Sequence, residues 1–162
     1  MAKWFTRARP KIDRVSCPWL IKRFIDPDAE IVYLPKDPDG TWTTVVKRAK
    51  AEGGKSIDAE GADFYDRVGS QYPDGQSSTF EMMVATYKLD GDEALMRLAN
   101  IIHAADGQAK RIQNEPRAPG LLAITVGGLE VEPDDYKLLE KEMFLYDALY
   151  AWCQKYPQGN YS

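Results

Sequence analysis

The second half of the chain carries apolar residues at helical spacing. In residues 133–155 they fall on one face of a long helix: Tyr136, Leu139, Met143, Tyr146, Leu149 and Cys153. Pro133 suits the first turn of this helix, and the acidic residues beside it suit the positive end of the helix dipole. Shorter helices are predicted from Ser78, where Glu81 completes a capping-box spacing, and over residues 91–106 and 116–128. The last of these is expected to end at Gly127 and Gly128.

The first half shows shorter patterns that are typical of strands between turns. "KWFTR" (3–7) and "EIVYLP" (30–35) predict two strands, and a further short strand is possible after residue 55. Ser16 is predicted to cap a helix whose apolar face ends at "DPD" (26–28), and residues 43–54 predict another short helix. We therefore expect an α+β fold: a single, mostly helical domain over residues 1–162, with a small sheet built from short N-terminal strands.

Composition narrows the range of functions. The net charge of −4 argues against autonomous binding to nucleic acid, which needs a basic face. No apolar run is long enough to span a membrane and no leader is evident, so a cytoplasmic location is expected. Cys17 and Cys153 form no disulfide framework, and the absence of a Cys/His cluster predicts no metal site of the zinc type. Oligomerisation stays open.

The charge is strongly uneven, because residues 1–23 hold a net charge of +6. Within "RARPKIDRVSCPWLIKRF" (7–24) the arginines are expected to converge on a helix start, where backbone N–H groups favour an anion, and Arg9 is expected to be unpaired at the surface. These arginines are Arg7, Arg9 and Arg14. Asp13 would orient one of them, and Cys17 in the first turn would have its thiolate favoured. The alternative interpretation is a solvated basic segment in which Asp13 pairs with Arg14 and Cys17 is simply buried.

Other candidate residues are less specific. His103, beside Asp106, could act as a base or as a pH-sensitive contact. Four carboxylates could form an oxygen-rich cation site, but no motif fixes their geometry and no metal is predicted: Asp63, Asp66, Glu81 and Asp106. The sequence identifies no cofactor.

Several segments, in order along nearly the whole chain, resemble the C-terminal domain of ChrB-type chromate resistance proteins. They are "TRARPKIDRVSCPWLIKRFIDPDAEI", "STFEMMVATYKL", "LANIIHAAD", "PGLLAITVGG" and "YDALYAWC". The resemblance implies chromate resistance, chromate-responsive gene control, and a preceding DNA-binding portion that residues 1–162 do not include. It also implies a ligand-binding segment composed of Arg7, Arg9, Asp13, Arg14, Cys17 and Trp19, with Glu81, His103 and Asp106 as possible supporting positions.

The chain departs from the family before its "FE" pair. Tyr65 and Asp66 stand where histidines are expected, and Ser78 stands where a cysteine is expected. This departure argues against metal binding or redox chemistry through thiols or imidazoles. Two functions follow as hypotheses: a domain that binds or senses an oxyanion such as chromate or sulfate through the arginines, or a small enzyme acting on an anionic substrate through Cys17 or a carboxylate.

Overall fold

Six α-helices, one π-helical segment (Ile21–Ile25) and a three-stranded parallel sheet make up the described part of the chain, which is residues 2–57, 78–106 and 115–157 of a computed structural model. The strands are β1 (Lys3–Arg7), β2 (Glu30–Leu34) and β3 (Lys55–Ser56). The helices are α1 (Ile12–Leu20), α2 (Thr43–Ala51), α3 (Thr79–Thr86), α4 (Glu93–Asp106), α5 (Ala118–Val131) and α6 (Asp135–Lys155). The expected α+β class is confirmed.

The sheet has the strand order β2-β1-β3, with β1 in the middle and paired in parallel with both neighbours. Alternate residues of β1 point to opposite faces. Trp4 joins the main core together with α1 and the later helices, whereas Phe5 packs with Val45 and Ala49 of α2. The parallel arrangement therefore brings the carboxyl ends of all three strands to one edge.

Helix α1 begins earlier than its sequence predicts. Lys11, not Ser16, occupies the N-cap, and it makes no side-chain capping hydrogen bond. Pro18 consequently lies inside the helix, where it cannot donate a hydrogen bond to the carbonyl of Arg14. The hydroxyl of Tyr33 on β2 donates to that carbonyl instead, at 2.9 Å. The expected Ser16 cap was therefore wrong. The helix can begin before Pro18 because Tyr33 donates to the carbonyl that Pro18 cannot reach with an N–H group.

The later helices follow their predicted patterns with two changes at their ends. The capping box of Ser78 and Glu81 is present at the start of α3. Helix α5 does not stop at Gly127 and Gly128 but continues to Val131, and α6 is capped by the side chain of Asp134. No helix in the three described ranges is long and apolar enough to cross a membrane.

Candidate functional site

A polar pocket of about 350 Å³ lies where β1 ends and α1 begins. Its lining residues come from the β1–α1 loop, the first turn of α1, the start of α2 and the end of α4: Arg7, Ala8, Arg9, Lys11, Asp13, Arg14, Trp42 and Asp106. From β1 the chain passes to β2 on one side, and from β2 it returns to β3 on the other side. This edge is therefore a topological switch point, the usual place for a ligand in an open parallel sheet.

Three cationic side chains of the lining surround the start of α1. Arg7 is the last residue of β1, and its guanidinium carbon lies 5.2 Å from the centre of the Trp42 ring, within cation–π range. Lys11 is the N-cap residue of α1, and Arg14 follows in its first turn with a side chain that is 20% exposed. The pocket therefore combines forked donors with the positive end of a helix dipole.

Arg9 lines the same pocket, but its guanidinium binds the turn between α5 and α6. It donates to the carbonyl oxygens of Leu129 (2.5 Å), Pro133 (2.9 Å) and Glu132 (3.2 Å), and to a carboxylate oxygen of Asp135 (2.8 Å). The backbone of Arg9 has a positive φ of 53°, and its N–H donates to the same carboxylate. The expectation of an unpaired surface arginine at this position was wrong, because the carbonyls at the end of α5 recruit it as a cap.

Two carboxyl groups lie against these cations. Asp13 is 4% exposed, and its Oδ2 accepts a hydrogen bond from the backbone N–H of Thr79 at 3.2 Å. Asp106, at the end of α4, is close enough for a side-chain hydrogen bond with Asp13. Burial, and after it the Asp106 carboxylate, raise the pKa of Asp13 well above its usual range, although Arg14 at 4.0 Å opposes the shift. The alternative interpretation from the sequence, in which Asp13 pairs with Arg14, is therefore incomplete, because Asp13 also contacts Asp106.

Behind this pair, a second polar contact joins α3 to α4. His103 Nδ1 lies 2.6 Å from Glu81 Oε1, while Glu81 Oε2 accepts the backbone N–H of Ser78. Burial lowers the pKa of His103, and the negative charge of Asp106 partly offsets this effect. The three positions expected to support the site thus converge: Asp106 lines the pocket, and His103 lies one helical turn before it.

Cys17 and Trp19 do not line the pocket. Both are fully buried in the main core, on the later turns of α1. The indole N–H of Trp19 donates to Asp147 of α6 at 2.7 Å, on the side of α1 that packs against the aromatic residues. The expectation that Cys17 lies in the first turn was wrong, because α1 starts at Ile12 and places Cys17 beyond its first turn.

The carboxylate cation site receives no support from the described ranges. Asp63, Asp66 and Tyr65 lie outside them. Among the residues that the structure does describe, no three His, Cys, Asp or Glu side chains come together in a way that could hold a metal ion.

Sequence reasoning missed Trp42 as a wall of the pocket. It follows β2 and a turn, so its position depends on β1 and β2 being parallel. A strand–helix–strand order over residues 3–34 is the signal that could have indicated this pairing, since parallel strands need a crossover connection.

A larger groove of about 830 Å³ runs along the outer edge of β2, next to α6. Its two cationic residues are engaged: Lys22 donates to the Ala29 carbonyl at 2.8 Å, and Arg23 binds the Asp147 carboxylate through two hydrogen bonds. The smaller pocket has more cationic residues in its wall, which includes the first turn of α1 together with Arg7, Arg9, Lys11 and Arg14.

Comparison with known proteins adds a family relationship. The family model of the ChrB C-terminal domain matches residues 4–153. Protein ChrB of Cupriavidus metallidurans is 32% identical over 149 residues, which cover 92% of this chain and 40% of the relative. The chain thus spans well under half the length of that relative. No solved structure matches it significantly.

Proposed function

The chain belongs to the ChrB C-terminal domain family, which is related to chromate resistance, and we propose that its pocket at the start of α1 binds a small tetrahedral oxyanion such as chromate or sulfate. The observation that carries the proposal is the placement of Arg7, Lys11 and Arg14 around one helix N-terminus.

The charge distribution supports an anion rather than a neutral ligand. Arg7, Lys11 and Arg14 all line the pocket, so its wall carries three cationic side chains besides Arg9. The first turn of α1 adds backbone N–H groups, which the side chain of the N-cap residue Lys11 does not cap. A dianion whose oxygens point in several directions can accept hydrogen bonds from several of these donors at once, and guanidinium groups are well suited to such contacts.

The alternative of a thiol enzyme is less well supported. Cys17 is fully buried and separate from the pocket lining, so a substrate held by the arginines would not reach its sulfur. A carboxylate mechanism retains one supporting observation, which is the presence of Asp13 and Asp106 in the pocket wall.

The test is calorimetric titration of the chain with chromate, sulfate and phosphate. Charge-assisted contacts are worth about 1.5–3 kcal/mol each, so Arg7→Ala and Arg14→Ala should each weaken binding roughly tenfold to a hundredfold. Denaturant unfolding of both variants, measured alongside, separates a loss of anion affinity from a loss of stability.

Arg23→Ala is the matched control. It removes an arginine from the same basic segment, but one that pairs with Asp147 outside the pocket. Its anion affinity should stay within about twofold of the wild type. Equal losses in Arg23→Ala and Arg14→Ala would indicate a diffuse electrostatic effect and refute a specific site.

A further inference from the structure

The contact between Asp13 and Asp106 raises a hydrogen-bonding problem. Asp13 Oδ2 takes the N–H of Thr79, but Asp13 Oδ1 is buried and has no donor among the described residues. The neighbour within hydrogen-bonding reach is the Asp106 carboxyl group, which in its ionised form offers only acceptors. Two ionised carboxylates cannot satisfy each other, whereas a pair with one proton can.

We propose that Asp13 and Asp106 hold a single proton between them, and that the anion affinity of the pocket depends on this proton. The inference rests on the proposed function and extends it to the regulation of the same site. With the proton present, the pair carries one negative charge next to the bound anion. Without it, the pair carries two, and the second charge repels the ligand in a partly desolvated pocket.

The surroundings of Asp13 favour the protonated pair. Burial and the Asp106 charge raise the pKa of Asp13, and together they outweigh Arg14 and the Thr79 N–H, which lower it. The other titratable groups around the pair are Arg7, Arg9 and Lys11 in the pocket lining, His103 on α4 with its partner Glu81 on α3, and Tyr146 on α6 with its neighbours Cys17 and Glu142. Of these, Glu142 needs a control because burial raises its pKa to about 7.

The sign of the effect follows from proton linkage. Below the raised pKa the pair already holds its proton, and affinity is constant. Above it, the free pocket loses the proton, and binding an anion must take a proton up again. Affinity should then fall by up to about tenfold per pH unit, the limit for one linked proton.

The experiment is sulfate titration of the full chain between about pH 5 and pH 9 at constant ionic strength, in buffers of different ionisation enthalpy. Sulfate serves as the probe because its own charge stays fixed over this range. Wild type should lose affinity as pH rises and should take up a proton on binding. Asp13→Asn should show no fall in affinity as the pH rises, because its amide can still accept from Thr79 and donate to Asp106 without titrating.

Asp106→Asn provides a second variant at a more exposed position, should Asp13→Asn fail to fold, and it should show the same flat profile. Glu142→Gln should retain the wild-type slope, since this residue lies outside the pocket lining. Titration of the aspartate carboxyl carbons by NMR, without any anion, should give a pKa for Asp13 that returns toward normal in Asp106→Asn.

The outcomes separate the two ideas. Sulfate binding with no pH dependence and no proton uptake would overturn the inference while leaving the proposed function intact, as would a wild-type slope in both asparagine variants. No sulfate binding at any pH would refute the proposed function and the coupled affinity, while the carboxyl titration would still decide whether the proton is shared.

Discussion

The two halves of α1 have different surroundings although they belong to one nine-residue helix. The first turn, with Asp13 and Arg14, lines a polar pocket and contributes charged groups to it. The later turns, with Cys17 and Trp19, are fully buried in the main core. Trp19 is in contact there with four aromatic rings, which are Phe24, Phe80, Tyr146 and Tyr150.

This contrast shows how the fold supports the site. The aromatic contacts fix the later turns of α1 against α3 and α6, and Ile12 and Val15 bury the apolar side of its first turn in the same core. Charged residues can therefore lie at its start, next to the carboxyl end of β1. The comparison predicts that changes in the later turns reduce stability and that changes in the first turn reduce binding.

The largest expected effect is on folding, from Trp19→Ala. Removing a fully buried indole should lower the free energy of unfolding by about 3–5 kcal/mol, through lost apolar contacts and a cavity. Denaturant unfolding measures this loss. Sulfate affinity of the folded fraction should stay near the wild-type value. Trp19→Phe keeps a ring and should lose less stability; a tenfold loss of affinity in that variant would contradict the separation of the two halves.

The same contrast explains what the sequence could predict. The apolar periodicity of α6 and the capping box at Ser78 are local signals, and both agree with the structure. The start of α1 was misplaced because its decisive contact, Tyr33 with the Arg14 carbonyl, joins residues on different elements. Arg9 was assigned to the ligand for a similar reason: its partners lie about 120 residues further along the chain. The charge distribution located the basic segment, but it could not predict which of its arginines would bind other parts of the fold.

The second effect concerns Arg9, which links the site to the helix pair. Arg9→Ala should lower the free energy of unfolding by about 2–3 kcal/mol, because it removes charge-assisted hydrogen bonds to Asp135 and to the end of α5. Arg48→Ala is the control, since Arg48 is an exposed arginine with an ion pair to Glu52 at helical spacing and a cation–π contact with Phe5; its cost should be about 1 kcal/mol or less.

The sulfate affinities of Arg9→Ala and Arg14→Ala, compared with each other, test the role assigned to Arg9. Sulfate affinity should fall less in Arg9→Ala than in Arg14→Ala, because the guanidinium of Arg9 is occupied. A variant with unchanged stability and a tenfold weaker affinity would reverse that assignment and make Arg9 a direct ligand.

The smallest effect is expected from Cys17→Ser, on the border between the two halves. The new hydroxyl is buried in the core and should cost roughly 1–2 kcal/mol of stability. Anion affinity should remain within about twofold of the wild type, because Cys17 does not line the pocket. Calorimetric titration of both proteins with sulfate, alongside denaturant unfolding, measures the two quantities separately.

A thiol enzyme would instead lose its activity in Cys17→Ser while keeping its binding. Turnover of an anionic substrate by the wild type but not by this variant would therefore favour the enzymatic alternative. The geometry of α1 favours oxyanion binding that does not need the thiol, because the first turn of α1 lines the pocket and the sulfur of Cys17 does not.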